Sequence, residues 1–228
     1  MDLSDVPTAD IVAFGVFILS WLVYSLAVDR SPWRHRTLSA SMDRQRLAWV
    51  EMMQTHEIRI ADTNILAGLQ QGTGFFASAS MLAIGAALAL LGSSEAVGAV
   101  LADLSPATAD SNALFEAKVV GLGVIFGYAF FKFGWGYRIF NYASILIGAL
   151  PPPEAGNTPE VKRAVARAAG FLRIGGRNFN RGLRSFNFAI AYLCWLAGPW
   201  ALIAASLVVL AVLLHRQFLS QSVRLVRD

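Results

Sequence analysis

Lys132 and Arg138 lie six residues apart in an otherwise apolar stretch. A cation at such depth in hydrocarbon must be paired, hydrated or able to reach the headgroups. On a helix the two stand about 9 Å apart along the axis, with Arg138 near one end of the stretch. Three kinds of chemistry suit such a pair. It lines a polar cavity that takes an anion or a lipid phosphate; or Lys132 snorkels while Arg138 meets headgroups; or the pair belongs to a structural ion pair.

Carboxylate partners would come from the segment around Glu57, Arg59 and Asp62. A spacing of three sets Arg59 and Asp62 on neighbouring helical positions. A network from Asp62 to Arg138 would tie two helix ends together, whereas a solvated Arg59–Asp62 pair is worth roughly a few tenths of a kcal/mol. With Arg184, the innermost of a run of arginines, these residues form the candidate polar cluster Arg59, Asp62, Lys132, Arg138 and Arg184.

Other chemistries find little footing. His35, His56 and His215 are far apart and form no pair at metal-binding spacing, and a lone Cys194 completes neither a disulfide nor a thiolate site. Haem held by His56 and His215 would need both on one membrane face. Neither a phosphate-binding glycine loop nor a nucleophilic serine elbow occurs. No metal and no cofactor is expected.

The elements that must position these residues follow from composition. Of 228 residues 56% are hydrophobic and 15% charged, against about 25% charged in an ordinary globular protein. The apolar residues gather in long blocks with arginines between them, so the expected fold is all-α: a single polytopic transmembrane helical bundle over 1–228. Spans are expected at about 9–28, 73–92, 119–141 and 186–214, with amphipathic helices in two basic connections, 29–72 and 142–185. The net charge of +4 and a pI near 9.6 could suggest nucleic acid. Seven of the nineteen basic residues, however, fall in one stretch beside apolar segments, which suits anionic lipid headgroups instead.

Within this frame, 39–71 reads as a helix with Trp49, Met53, His56 and Ile60 at helical spacing. Gly72, Gly74, Ser78, Ser80 and Gly85 give the second span a small-residue face suited to close packing, with a second copy or another membrane protein as its partner. The third apolar block, 119–150, exceeds one perpendicular crossing, so it must tilt, project, or end near Asn141. Its Trp135, Tyr137 and Tyr142 suit an interfacial belt.

Thr158 as cap, Pro159 and Glu160 start the next helix. Its stripe of Val161, Val165, Ala168 and Leu172 is expected to lie on an anionic surface, and Gly170, Gly175, Gly176 and Gly182 to loosen it. Gly198 and Pro199 are expected to kink a single fourth span over 185–215, the alternative being a re-entrant or hairpin arrangement that turns back there.

The first ten residues hold Asp2, Asp5 and Asp10 and no basic residue, unlike a signal peptide. The first connection carries six basic residues, the second, with Glu95, Asp103 and Asp110, none, and the third seven. The positive-inside rule then sets the amino terminus outside and the basic connections in the cytoplasm. Arg216, Arg224 and Arg227 conflict with this pattern if the fourth span crosses once, and His56 and His215 then lie at opposite faces.

The stretches RIADTNILAGLQQGTGFFASASMLAIG (59–85), FKFGWGYRIFNYASILIGALP (131–151) and FNRGLRSFNFAIAYLCWLAGPW (179–200) resemble a widespread family of uncharacterised bacterial inner-membrane proteins classed as a domain of unknown function. The resemblance covers nearly the entire chain and implies a multi-span architecture without an activity. The residues matching its pattern are Arg59, Asp62, Lys132, Trp135, Arg138, Asn141, Arg181, Gly182, Arg184 and Pro199. The leading functional expectation is an accessory or scaffolding membrane protein that binds anionic lipid along 159–184. Its rivals are an anion transporter or channel built on Lys132, Arg138 and Arg184, and an enzyme acting on lipid with Asp62 or His56 as acid or base.

Overall fold

A computed structural model describes residues 6–93 and 111–227. The acidic tail residues Asp2 and Asp5 and the connection bearing Glu95, Asp103, Pro106 and Asp110 lie outside the described residues. The described chain is all-α: α1 (Thr8–Asp29), α2 (Leu38–Thr55), α3 (Ile60–Gly92), α4 (Asn112–Gly148), α5 (Pro159–Leu193), α6 (Pro199–Phe218) and the short α7 (Gln221–Arg227). Four stretches are long and apolar enough to cross a membrane: α1, α3, α4, and α6 with most of α7.

Their apolar side chains point largely outward. Leu19, Phe75, Leu82, Phe131 and Trp200 are all well exposed, an arrangement stable only where lipid is the solvent. On α3 a single narrow stripe turns inward, Leu66, Thr73, Ser80 and Ala87 at seven-residue steps, the spacing that keeps one seam facing a neighbouring helix. That neighbour is α4, and Gln70 adds a polar clasp by donating to Asn141 Oδ1 at 2.8 Å and Ser144 Oγ at 2.9 Å. The small-residue face is largely unused within the chain, since a Cβ at Gly68, Gly72 or Gly85 would meet nothing within 4 Å.

Two polar knots mark the ends of the bundle. At one, Trp195 Nε1 donates to Asp10 Oδ1 at 2.6 Å, and Lys118 Nζ lies 3.1 Å from the same oxygen. At the other, Arg184 holds Asp29, while Gln217 Nε2 donates to Ser39 Oγ at 2.6 Å. Five helices run between these ends: α1, α3, α4, α5 and α6. The polar α5 lies along α4, with α1 and α6 paired beside it.

Several expectations are corrected. Residues 185–215 are not one kinked helix. α5 ends at Leu193, a 3₁₀ turn follows at Cys194–Ala197, and Gly198 at φ 123° reverses the chain into α6. A left-handed φ suits glycine, which lacks a clashing Cβ, and Pro199 starts the new helix where its missing N–H costs nothing. The return brings Arg216 and α7 to the end that holds α2, and places His215 at the same end as His56.

The third span does not stop near Asn141. α4 runs unbroken through 37 residues, about 55 Å, and projects beyond any bilayer. The helix expected over 39–71 breaks at residues 56–59, which separates α2 from α3. The stripe of Val161, Val165, Ala168 and Leu172 faces no membrane surface, because it is buried against Val50 and Met53 of α2 and Phe140, Ala143 and Ile147 of α4. Burial there removes apolar surface from water outside the bilayer.

Nor do the glycines loosen α5, which is continuous past all of them. They admit close neighbours: a Cβ at Gly175 would stand 2.7 Å from the Phe140 ring, one at Gly176 2.6 Å from the Arg46 guanidinium, and one at Gly182 2.6 Å from the Phe133 ring. Phe133 is fully buried and cannot withdraw. Gly182→Ala is expected to cost about 1–3 kcal/mol by overpacking, seen as a lower apparent melting temperature in detergent. Gly72→Ala, facing open space, is expected to leave that temperature unchanged or raise it. Equal melting of the two variants would show that the seam is not tight.

Candidate functional site

The structure does not bring the five residues of the expected cluster together; each has its own set of partners. Asp62, in the first turn of α3, is buried and accepts from Trp49 Nε1 at 2.9 Å, with His56 Nδ1 2.9 Å from its other oxygen. Arg59 does not join it. Its guanidinium donates to the carbonyls of Met53 (3.1 Å), Ile147 (3.4 Å), Leu150 (3.3 Å) and Pro151 (3.1 Å). Carbonyls at a helix C-terminus lack intrahelical donors and carry partial negative charge, so Arg59 caps α4. The break at residues 56–59 is what lets Arg59 reach α4 while Asp62 stays with Trp49 and His56.

Arg138 is exposed, donates from Nε to Tyr142 Oη at 2.7 Å, and stacks near Trp135 and Tyr142. An exposed cation among aromatic rings is the anatomy of a headgroup-level anchor. The half-buried Lys132 sits over the Tyr128 ring, 5.1 Å from its centroid. Neither meets Asp62, so the network proposed to tie α3 to Arg138 is absent among the described residues. Arg59 lines a small cavity beside His56, and Arg184 belongs to the site with the largest collection of charge.

That site is a cavity of about 420 Å³ between the end of α1, the turn after it, α2 and α5. Residues 173, 177, 181 and 184 recur at steps of four, four and three, which puts four guanidinium groups on one face of α5. Arg34 and Arg44 complete the lining from the other wall. Two carboxylates answer them. Asp29 takes Arg184 in a fork at 3.2 and 3.3 Å and Arg181 at 3.6 Å, while Asp43 takes Arg46 at 2.8 Å and Arg177 at 3.1 Å. Arg34, Arg44 and Arg173 have no carboxylate among the described residues, although Arg44 donates to Ser41 Oγ at 3.0 Å.

The lining thus carries six guanidinium groups against two carboxylates. Guanidinium forks match the oxygens of carboxylate and phosphate. An anion is therefore the complementary occupant, and a phosphate accepting from two or three arginines is the best geometric match.

A second cavity of about 310 Å³ adjoins the first and shares Val28, Ser39, Asn180 and Arg184 with it. Its further lining comes from Tyr24, Arg46, Leu183, Asn187 and the stretch from Leu213 to Ser222. Ser39 Oγ stands at the junction and accepts from Asn180 at 3.3 Å and Gln217 at 2.6 Å. Arg184 is only 8% exposed, lies over the Tyr24 ring at 5.0 Å, and keeps a buried Nε–H without a partner.

Sequence reasoning missed Asp29, Arg34, Asp43, Arg44, Arg173 and Arg177 as members of one site. Their signal was the arginine density of two connections, with two aspartates among the arginines. What placed them together was the packing of α2 on α5, which spacing across separate helices does not encode.

No curated protein and no solved structure matches the chain. One family model does, over residues 12–222, taking in every helix that builds the cavities. Its extent agrees with the resemblance carried by the three stretches above, and the chain belongs to the family described as protein of unknown function, DUF599.

Proposed function

We propose that this is an accessory protein of the bacterial inner membrane that holds a phosphate-bearing anion, supplied chiefly by anionic lipid headgroups, in the arginine cavity. The single observation carrying this reading is the lining of six arginines and two aspartates, an excess positive charge concentrated in a concave site where it is focused rather than screened. Of the three residues of the transport reading, Lys132 and Arg138 line neither this cavity nor its neighbour, and Arg184 lines both. Gly68 and Gly72, one turn apart on α3 and meeting no neighbour within the chain, leave room for close approach of a second copy or another membrane protein.

In this reading the amino terminus lies outside and the arginine-rich end faces the cytoplasm. The reversal at Gly198 supports that orientation, because Arg216 and Arg224 then join the other basic residues on one side. A carboxyl-terminal reporter that works only in the cytoplasm is expected to be active. Activity only from a periplasmic reporter at that terminus would overturn the orientation.

The binding itself is tested on full-length protein purified in neutral detergent. Wild-type protein is expected to retain anionic phospholipid through washing, and the Arg44→Gln, Arg173→Gln double variant to retain about tenfold less, as befits the loss of two charge-assisted contacts. Neither arginine has a carboxylate to strand, so the fold should persist. Equal phospholipid content in the two proteins would sink the reading.

A second reading rests on the His56–Asp62 pair. Asp62, oriented by Trp49, holds a half-buried imidazole beside a small cavity lined by Arg59, Leu150 and Pro152, the arrangement of a general base. If the protein turns over lipid, incubation with mixed phospholipids should release products that His56→Gln abolishes. Unaltered lipids after incubation with wild-type protein would dismiss it.

A further inference from the structure

We infer that the occupant of the arginine cavity is an amphiphile bound lengthwise, with its phosphate among the arginines and the ester-linked neck of its chains in the adjoining cavity. The inference rests on the anion-binding reading above and adds the ligand's class. Three observations carry it.

The first is the change of lining. In the larger cavity the purely apolar residues are Val28 and Ala40, whereas the smaller is floored by Tyr24, Val28, Leu38, Met42, Leu183 and Leu213. A water-soluble phosphate compound gains nothing from such a floor, while a glyceride neck with the first methylenes of its chains buries apolar surface on it.

The second is Arg184, which lines both cavities. Its two Nη groups are spent on Asp29 and its face on Tyr24, yet its Nε–H is buried without a partner. That nitrogen is shut off from both cavities, so what Arg184 offers a ligand at the junction is its fixed positive charge.

The third is depth. Tyr24 on α1 and Leu183 and Asn187 on α5 lie toward the Asp10 end, one to three turns beyond Asp29 and Arg177 respectively. Part of the smaller cavity's lining therefore reaches inward from the arginines, on the side where the apolar part of a membrane-resident ligand would lie, while Arg46, Arg216 and Ser222 line it at the basic end. Arg216 and the second amide hydrogen of Asn187, whose first is donated to the Leu183 carbonyl, supply donors at the level where ester carbonyls would sit, and the Ser220 hydroxyl oxygen an acceptor for a glycerol hydroxyl.

Full-length protein in neutral detergent should be titrated separately with phosphatidic acid, with glycerophosphate, which is the same headgroup without chains, and with inorganic phosphate, and binding read by native mass spectrometry. Phosphatidic acid is expected to bind about tenfold tighter or more than either soluble phosphate. Leu183→Trp, which fills the floor, should erase that preference while glycerophosphate binding persists, and Leu183→Asn should weaken it by the same route if the bulky variant does not fold.

Equal binding of all three compounds by wild-type protein would overturn the amphiphile inference and leave the anion reading standing. So would a lipid preference untouched by both Leu183 variants, since the chains would then lie elsewhere. Failure of all three compounds to bind would overturn both.

Discussion

The enclosure of α5 is the constraint from which the rest of the architecture follows. Its second half carries Asn178, Asn180, Arg181, Arg184, Ser185 and Asn187, a set too polar to face hydrocarbon, and yet it lies beside α4 for most of its length. The solution is close packing. Gly175 and Gly182 let the rings of Phe140 and Phe133 lie directly on the α5 backbone, and Gly176 does the same for Arg46. Several of the polar groups then turn back on their own helix: Asn178, Ser185 and Asn187 each donate to the carbonyl four residues earlier. A helix that composition alone would leave at a membrane surface thus becomes an interior element, covered by α1 and α6 on the side away from α4.

Covering α5 in this way requires α6 to return along it, and the return sets the distribution of charge. Gly198 adopts a backbone angle that residues with side chains rarely accept, so the reversal is local and sharp. Arg216 and Arg224 are carried back to the end where α2 and the start of α5 already concentrate arginine. The Asp10–Lys118–Trp195 knot closes the opposite end, where a buried ammonium is satisfied by a carboxylate, a carbonyl and the face of an indole. One end of the molecule is therefore sealed and the other is open and strongly basic.

Much of this was legible in the sequence because periodicity and block composition survive without knowledge of neighbours. The four apolar stretches, the all-helical class and the helix start at Thr158 with its cap to the Val161 amide all follow from local rules. The errors share one cause. Glycines in 170–182, the stripe from Val161 to Leu172, and Gly198 with Pro199 were each read by their usual local effect. Their actual role depends on a second helix lying against them. The candidate cluster is dispersed for the same reason: Arg59, just before α3, is drawn to the exposed carbonyls of α4, and Asp62, in the first turn of α3, to an indole and an imidazole of the preceding segment.

The arginine cavity is also where folding and occupancy become linked. Guanidinium groups cannot shed their protons, so six of them facing one cavity with two carboxylates repel one another in the empty protein, most strongly where Arg184 is withdrawn from water. An anion entering the cavity relieves that repulsion and meets donors already held in place by Asp29, Asp43 and the stiff face of α5, so little ordering is required at the moment of binding. A ligand that binds the folded chain and not the unfolded one stabilises the fold in proportion to its affinity. Under the proposed reading, an anion that binds the folded chain would add to the stability of the packing of α2 onto α5 that builds its site.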